Sequence, residues 1–231
     1  MAVPVSAYVS ARGSVLSRAR AAVLRARKGD RTVLEVGGPP RPLLRALLDE
    51  GTLRRALVLL ERDGDHGSIA ILPRRGRGLP SLAELLEEDH ARLDAIADEM
   101  VRHLHVDPVR AIVLAHHFSA GMRRHVTSEE AILFPPYRAH FGTSGDATSA
   151  TMEREHRAML HYLDRLREAA ERMLLVHERE HAAASVQRVL RGLAAVVAEH
   201  SDKEERIMFP LLDRTLGEGQ RAELLRELVL F

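Results

Sequence analysis

Apolar residues recur along the chain in two rhythms, and the change between them falls near residue 80. Before it, the apolar stretches are short and closed by turn residues. An Ala- and Arg-rich stretch over residues 14–27 predicts a helix, and the β-branched run 32–36, ended by Gly37-Gly38-Pro39-Pro40, predicts a strand. A short helix is expected over 43–48. Two further strands are expected at 56–61 and 68–72, with Asp63-Gly64-Asp65 as the turn between them. Residues 73–80 hold two prolines and two glycines and read as a linker. Residues 1–79 are therefore expected to form a small α/β domain. Neither a GxGxxG nor a GxxxxGK phosphate pattern follows Gly37-Gly38, so this part offers no recognisable chemistry.

After the linker the period becomes helical. Helices are expected over 81–105, 108–134, 148–176 and 181–209, with a polar loop from Gly142 to Asp146 and a last short helix over 218–230. Ser81 stands as an N-cap with Glu84 three residues on as its capping-box partner, while Asp107-Pro108, Pro135 and Pro210 act as stops. Four long helices with short connections predict a mainly α fold, an up-down-up-down four-helix bundle over residues 80–231.

The apolar stripes of these helices are interrupted by polar residues. Helix one reads Leu82, Leu86, His90, Leu93, Ala97, Met100, Leu104, with a histidine where a leucine belongs. The second stripe contains His125 and Glu129, the third His156, and the fourth His200, Glu204 and then Ile207. The two halves repeat each other. His125-x3-Glu129-Glu130-x3-Phe134-Pro135 aligns with His200-x3-Glu204-Glu205-x3-Phe209-Pro210, and each is preceded by an acid–histidine pair, Asp89-His90 and Glu155-His156.

The heights of these residues agree. His90 lies about 15 residues before the first turn and His125 about 17 after it, or ~22 and ~26 Å at 1.5 Å per residue. His156 and His200 lie about 20 residues, ~30 Å, on either side of the turn between helices three and four. Four histidines and two glutamates thus meet at one level of the core. Burying carboxylates there costs several kcal/mol apiece unless cations compensate them. Four imidazoles and two carboxylates suit two ions, each taking two histidines and both bridging glutamates, with positions left for a bridging oxide or hydroxide and a small ligand. Glu130 and Glu205 sit ~100° off the seam and are expected to support the ligands rather than bind metal.

Composition sharpens this reading. The 231 residues include 13 His and no Cys, which excludes disulfides, thiolate metal sites and thiol catalysis. Nitrogen and oxygen donors alone favour iron or manganese over zinc. Residues 1–80 hold 15 Lys and Arg against 7 Asp and Glu, leaving 19 against 26 for the rest. Only Lys28 and Lys203 are lysines, so the basic head reflects a chain-wide use of arginine, and nucleic acid is not an expected partner. The first 29 residues are Arg-rich and acid-free, a composition shared with transit peptides. No apolar run reaches the ~20 residues of a membrane span and no secretory signal is evident, so the expected location is cytoplasmic.

The doubled motif, with His90 and His156 upstream, resembles the hemerythrin-like HHE cation-binding domain over about residues 81–212. The resemblance implies a non-haem di-iron centre with His90, His125, His156 and His200 as terminal ligands and Glu129 and Glu204 as bridges. Oxygen carriers of this family have a fifth histidine one turn after the third-helix histidine, where this chain has Leu160. The four-histidine pattern is more similar to the iron–sulfur cluster repair proteins, which respond to nitric oxide and peroxide. Those have a cysteine-bearing N-terminal domain, and this chain has no cysteine. The expected function is binding or reduction of NO, O2 or peroxide, in stress response and iron-centre repair. The alternative is a sensor or iron-binding module signalling to a protein partner through the N-terminal domain.

Overall fold

The structure is a computed structural model that describes residues 14–74 and 76–231. The first part of the basic N-terminal stretch and Arg75 of the expected linker lie outside the described residues. The chain is mainly helical and divides into two compact units. One holds the described residues up to Leu85 together with Leu216–Phe231, the other Leu86–Thr215.

In the first unit, α1 (Val15–Ala26) starts at Ser14, whose hydroxyl accepts from the Ser17 N–H at 3.2 Å. The strands β1 (Thr32–Glu35), β2 (Leu57–Arg62) and β3 (Ser68–Leu72) form an antiparallel sheet in the order β1-β3-β2. All five residues of β3 are buried, as a central strand covered on both faces requires. The helix α2 (Arg41–Asp49) buries Leu43, Leu44, Leu47 and Leu48. The linker is tied down. The Arg74 guanidinium bonds the Leu53 and Gly78 carbonyls and pairs with Glu84 at 3.0 Å. Glu84 is thereby drawn away from the capping box. Its N–H still donates to the Ser81 hydroxyl oxygen at 2.9 Å, but its carboxylate belongs to Arg74.

The last helix, α8 (Glu218–Leu230), was expected to follow the bundle. It packs instead on α2 and β2 of the first unit, burying Leu225 and Val229. Arg41 donates to the Leu230 and Phe231 carbonyls, and Arg226 pairs with Asp49 at 2.6 Å. An amphipathic pattern marks which face of a helix will be buried, not which unit buries it.

Four long helices build the second unit: α3 (Leu82–His103), which begins in the first unit, α4 (Pro108–Ser128), α5 (Phe134–Arg172) and α6 (Arg179–Lys203). A short α7 (Phe209–Thr215) follows. Their core runs through Leu93, Met100, Phe118, Met159, Leu166 and Val189. In place of the polar loop expected at 142–146, α5 consists of two helical segments that meet at a kink. Gly142 alone leaves helical geometry, at φ 52° and ψ −132°, a conformation that favours glycine, and the helix resumes at once. The buried Ser149 hydroxyl braces this corner by accepting from Arg138 Nε at 2.7 Å.

Two further departures bear on the site. Between α4 and α5, residues Glu129–Leu133 form a π turn, and between α6 and α7 residues Glu204–Met208 form another. Each closes with the phenylalanine N–H bonded to the carbonyl of the glutamate five residues back. A π turn inserts one residue into the helical register. The sequence spacing puts Ile207 on the core stripe, yet Ile207 is 47% exposed and Met208 is fully buried.

Candidate metal centre

Every one of the six residues singled out in the stripes reaches the same point. His125, Glu129, His156, His200 and Glu204 are buried, and His90 retains 14% of its side-chain exposure. They form two overlapping clusters, His90–His125–Glu129–Glu204 and Glu129–His156–His200–Glu204. The imidazoles meet in pairs through Nε2, His90 to His125 at 3.1 Å and His156 to His200 at 3.0 Å. The glutamates lie between the pairs. Glu129 turns Oε1 to His125 Nε2 at 2.9 Å and Oε2 to His156 Nε2 at 3.2 Å. Glu204 turns Oε1 to His200 Nε2 at 2.8 Å and Oε2 to His90 Nε2 at 3.5 Å.

The donor set fits a bound cation on an observation of the fold itself. Apart from the imidazole Nε2 atoms that close on them, none of the four glutamate oxygens has a hydrogen-bond partner, and both residues are 0% exposed. Leaving a buried carboxylate unsatisfied costs more than any ordinary contact returns. Four imidazole nitrogens converging on two such carboxylates is the chemistry of an N/O-ligated cation site.

Protons balance these charges in the metal-free protein. Burial works against the His125 and His200 imidazolium ions, but Glu129 with Asp89 in one case, and Glu129 with Glu204 in the other, more than reverse it. His125 is raised well above the ordinary histidine range and His200 to about 10. Burial and the Glu129 charge both raise Glu204. Glu129 is held well below the usual carboxylate range despite its burial by His125, His156 and His200.

A second layer of carboxylates orients the imidazoles, and it closes into a ring. Each helix lends an acid to the next helix's histidine. Asp89 of α3 accepts from His125 Nδ1 at 3.1 Å, and Glu130 beside α4 from His156 Nδ1 at 2.8 Å. Glu155 of α5 accepts from His200 Nδ1 at 3.0 Å, and Glu205 beside α6 from His90 Nδ1 at 2.9 Å. With Nδ1–H committed outward, each Nε2 is directed at the centre. The sequence marks Glu130 and Glu205 as supporting groups; it shows the Asp89-His90 and Glu155-His156 pairs without their role. The acid in each pair serves the histidine of the neighbouring helix rather than the one beside it in sequence.

Two of the four acids are locked by cations. Glu155 pairs with Lys203 at 2.5 Å. Asp89 accepts from Arg92 Nε at 2.8 Å, with Arg124 at 3.6 Å. Burial alone would raise the Asp89 carboxyl, but Arg92, the His125 N–H and Arg124 carry it far below its usual range. Arg92 itself is 2% exposed, an arginine that sequence pattern alone would leave at the surface.

The phenylalanines of the doubled motif cover the site. Phe134 stacks on His156 with centroids 5.5 Å apart and planes 11° from parallel, and Phe209 lies 6.3 Å from His90. Both are fully buried. Leu160 packs half-buried against the core, and His161 faces solvent.

Fold and site together define a helical cation-binding protein. A family model of the hemerythrin HHE cation-binding domain matches residues 81–212, more than half the chain, and the chain belongs to that family. No curated protein and no solved structure matches it. No helix among the described residues is long and apolar enough to cross a membrane.

Proposed function

We propose that this chain is a non-haem di-iron protein that binds or reduces a small oxidant, NO, O2 or peroxide, on an up-down-up-down bundle of the hemerythrin kind. His90 and His125 would hold one ion, His156 and His200 the other, and Glu129 and Glu204 would bridge them. The observation that carries this reading is the sharing of both glutamates by the two clusters, each glutamate turning one oxygen to each histidine pair. Iron is favoured because the donors are nitrogen and oxygen with no thiolate. Such a pair of ions would supply two adjacent one-electron centres to a bound diatomic.

Neighbouring side chains bias the reaction that such a centre would run. Leu160 offers no donor where oxygen carriers place a fifth histidine, so neither ion would be saturated by side chains. His90, with 14% exposure, marks the side from which a small molecule arrives. Phe134 against His156 and Phe209 against His90 keep bulk water from the imidazoles. Together these favour oxidant reduction over reversible storage, consistent with a role in nitrosative or oxidative stress.

Metal analysis of the purified protein should give about two irons per chain, with at least one lost in His125→Ala and in Glu204→Ala. Glu130→Gln and Glu205→Gln should keep most of it, since an amide oxygen still accepts from Nδ1–H. Stopped-flow mixing of the anaerobically reduced protein with O2 should show oxidation without a long-lived oxygenated form. A stable species that releases O2 under vacuum would restore a carrier role despite Leu160.

A further inference from the structure

Helices α5 and α6 lie close together: Tyr162 rests on Gly192, where a Cβ would meet its ring at 2.7 Å. Between α3 and α6 the packing is open. Small residues face this gap, Ala97 from α3 and Ala194 from α6, and they leave a groove of about 640 Å³ floored by Phe118, Met122 and Leu193. That volume lies in the ~300–1,000 Å³ range of organic-ligand sites and far exceeds what a diatomic fills.

The groove begins at the metal-centre level and runs away from it. Asp94 lies one turn past His90, while Met122 and Val197 each lie about one turn before His125 and His200. Gln187, at the far end, is ten residues from Val197, which sets the length at ~15 Å. Charge is distributed unevenly along this length. Asp98 on α3 and Arg191 on α6 stand at similar depth and offset each other. Asp94 is left at the near end without a basic neighbour on the groove wall. Asp94 is solvent-exposed at the groove's mouth; partial desolvation and the Asp98 and Glu205 charges raise its carboxyl, with His90 alone acting the other way.

We propose that this groove binds an elongated aliphatic molecule with a cationic head, an alkylammonium, with the head at Asp94 and the tail along Phe118 and Leu193 toward Val101. The site is separate from the six residues of the metal centre, so it can be tested whether or not the di-iron reading holds. Calorimetric titration of the full-length, metal-free chain with decylamine should show one saturable site, at least ~10-fold tighter than with decanoate. Asp94→Asn should erase that preference. Ala194→Phe and, from the opposite wall, Ala97→Phe should abolish binding of both probes. In methionine-methyl NMR spectra, decylamine should shift the Met122 signal and leave Met152 in place, a readout that needs no variant. Absence of a saturable site, equal affinity for decanoate, or undiminished binding in both phenylalanine variants would overturn the proposal.

Discussion

Asp89 and Arg92 set the behaviour of His125 from behind its ring, outside the cluster of six. Arg92 keeps Asp89 ionised, and the ionised carboxylate holds the His125 ring by its Nδ1–H. Arg92→Met leaves Asp89 with Arg124 alone at 3.6 Å. The expected loss is about 3 kcal/mol, the low end for breaking a buried ion pair, because both terminal nitrogens of Arg92 already lack partners. Metal affinity should fall ~10- to 100-fold, as for other losses of support behind a ligand. Adding Asp89→Asn should recover much of both, since the amide accepts from Nδ1–H without needing a cation; thermal denaturation and chelator competition measure the two effects. Protonation gives a second expectation at this scale. His200 is raised in the folded, metal-free protein to about 10 from 6.5, so its contribution to stability is complete below pH 6.5 and is lost as pH rises through about 10. The melting temperature of chelator-treated protein should therefore fall between pH 7 and 10. Because cations displace the same protons, metal affinity should rise over that window. A metal-free melting temperature that climbs with pH there would contradict the proton-balanced centre.

The elements that carry these residues were largely legible in their periodicity. Helical spacing located α3 to α6, and counting 1.5 Å per residue set four histidines at one height, because both operations depend only on regular helix geometry. The π turns were not legible for the same reason: each adds one residue to a register that the counting takes as unbroken. The available signal was the repeated Phe-Pro. Proline has no N–H for the carbonyl four residues back and its ring crowds that carbonyl, so a widened turn ending just before it forfeits little. The ring of carboxylates was hidden differently, since each acid reaches across to another helix. One pair of substitutions separates the registers. Ile207→Asn should change stability by less than about 0.5 kcal/mol, as at other exposed sites. Met208→Asn should cost about 3 kcal/mol or more, from a lost core side chain and a buried amide. Urea denaturation of the two variants reads this directly, and a regular α-helix through Glu204 would give the reverse order.

At the level of the whole molecule, the contact pattern recasts what a self-sufficient metal-binding fragment is. The Pro/Gly stretch at residues 73–80 suggests cutting there and keeping everything after it, but residues after 215 belong to the other unit. All six residues of the centre, the four acids behind them and both covering phenylalanines lie between Asp89 and Phe209. A fragment of residues 81–215 retains Ser81 as the N-cap of α3 and the whole of α7, and its ~135 residues are enough for an independent core. It should fold with the helix content of the bundle and bind iron at the full chain's stoichiometry. The complementary cut should fail. Removing residues 216–231 from the full chain uncovers the α2 and β2 surface that Leu225 and Val229 bury, and it strips Arg41 of the Leu230 and Phe231 carbonyls and Asp49 of Arg226. Burying two such side chains stabilises by about 1.5–3 kcal/mol each, a large share of what a unit this small commands. Circular dichroism melting should then resolve an early transition for the truncated first unit and a later, metal-dependent one for the bundle. A single unshifted transition in the truncated chain would mean that α8 does not hold the first unit together.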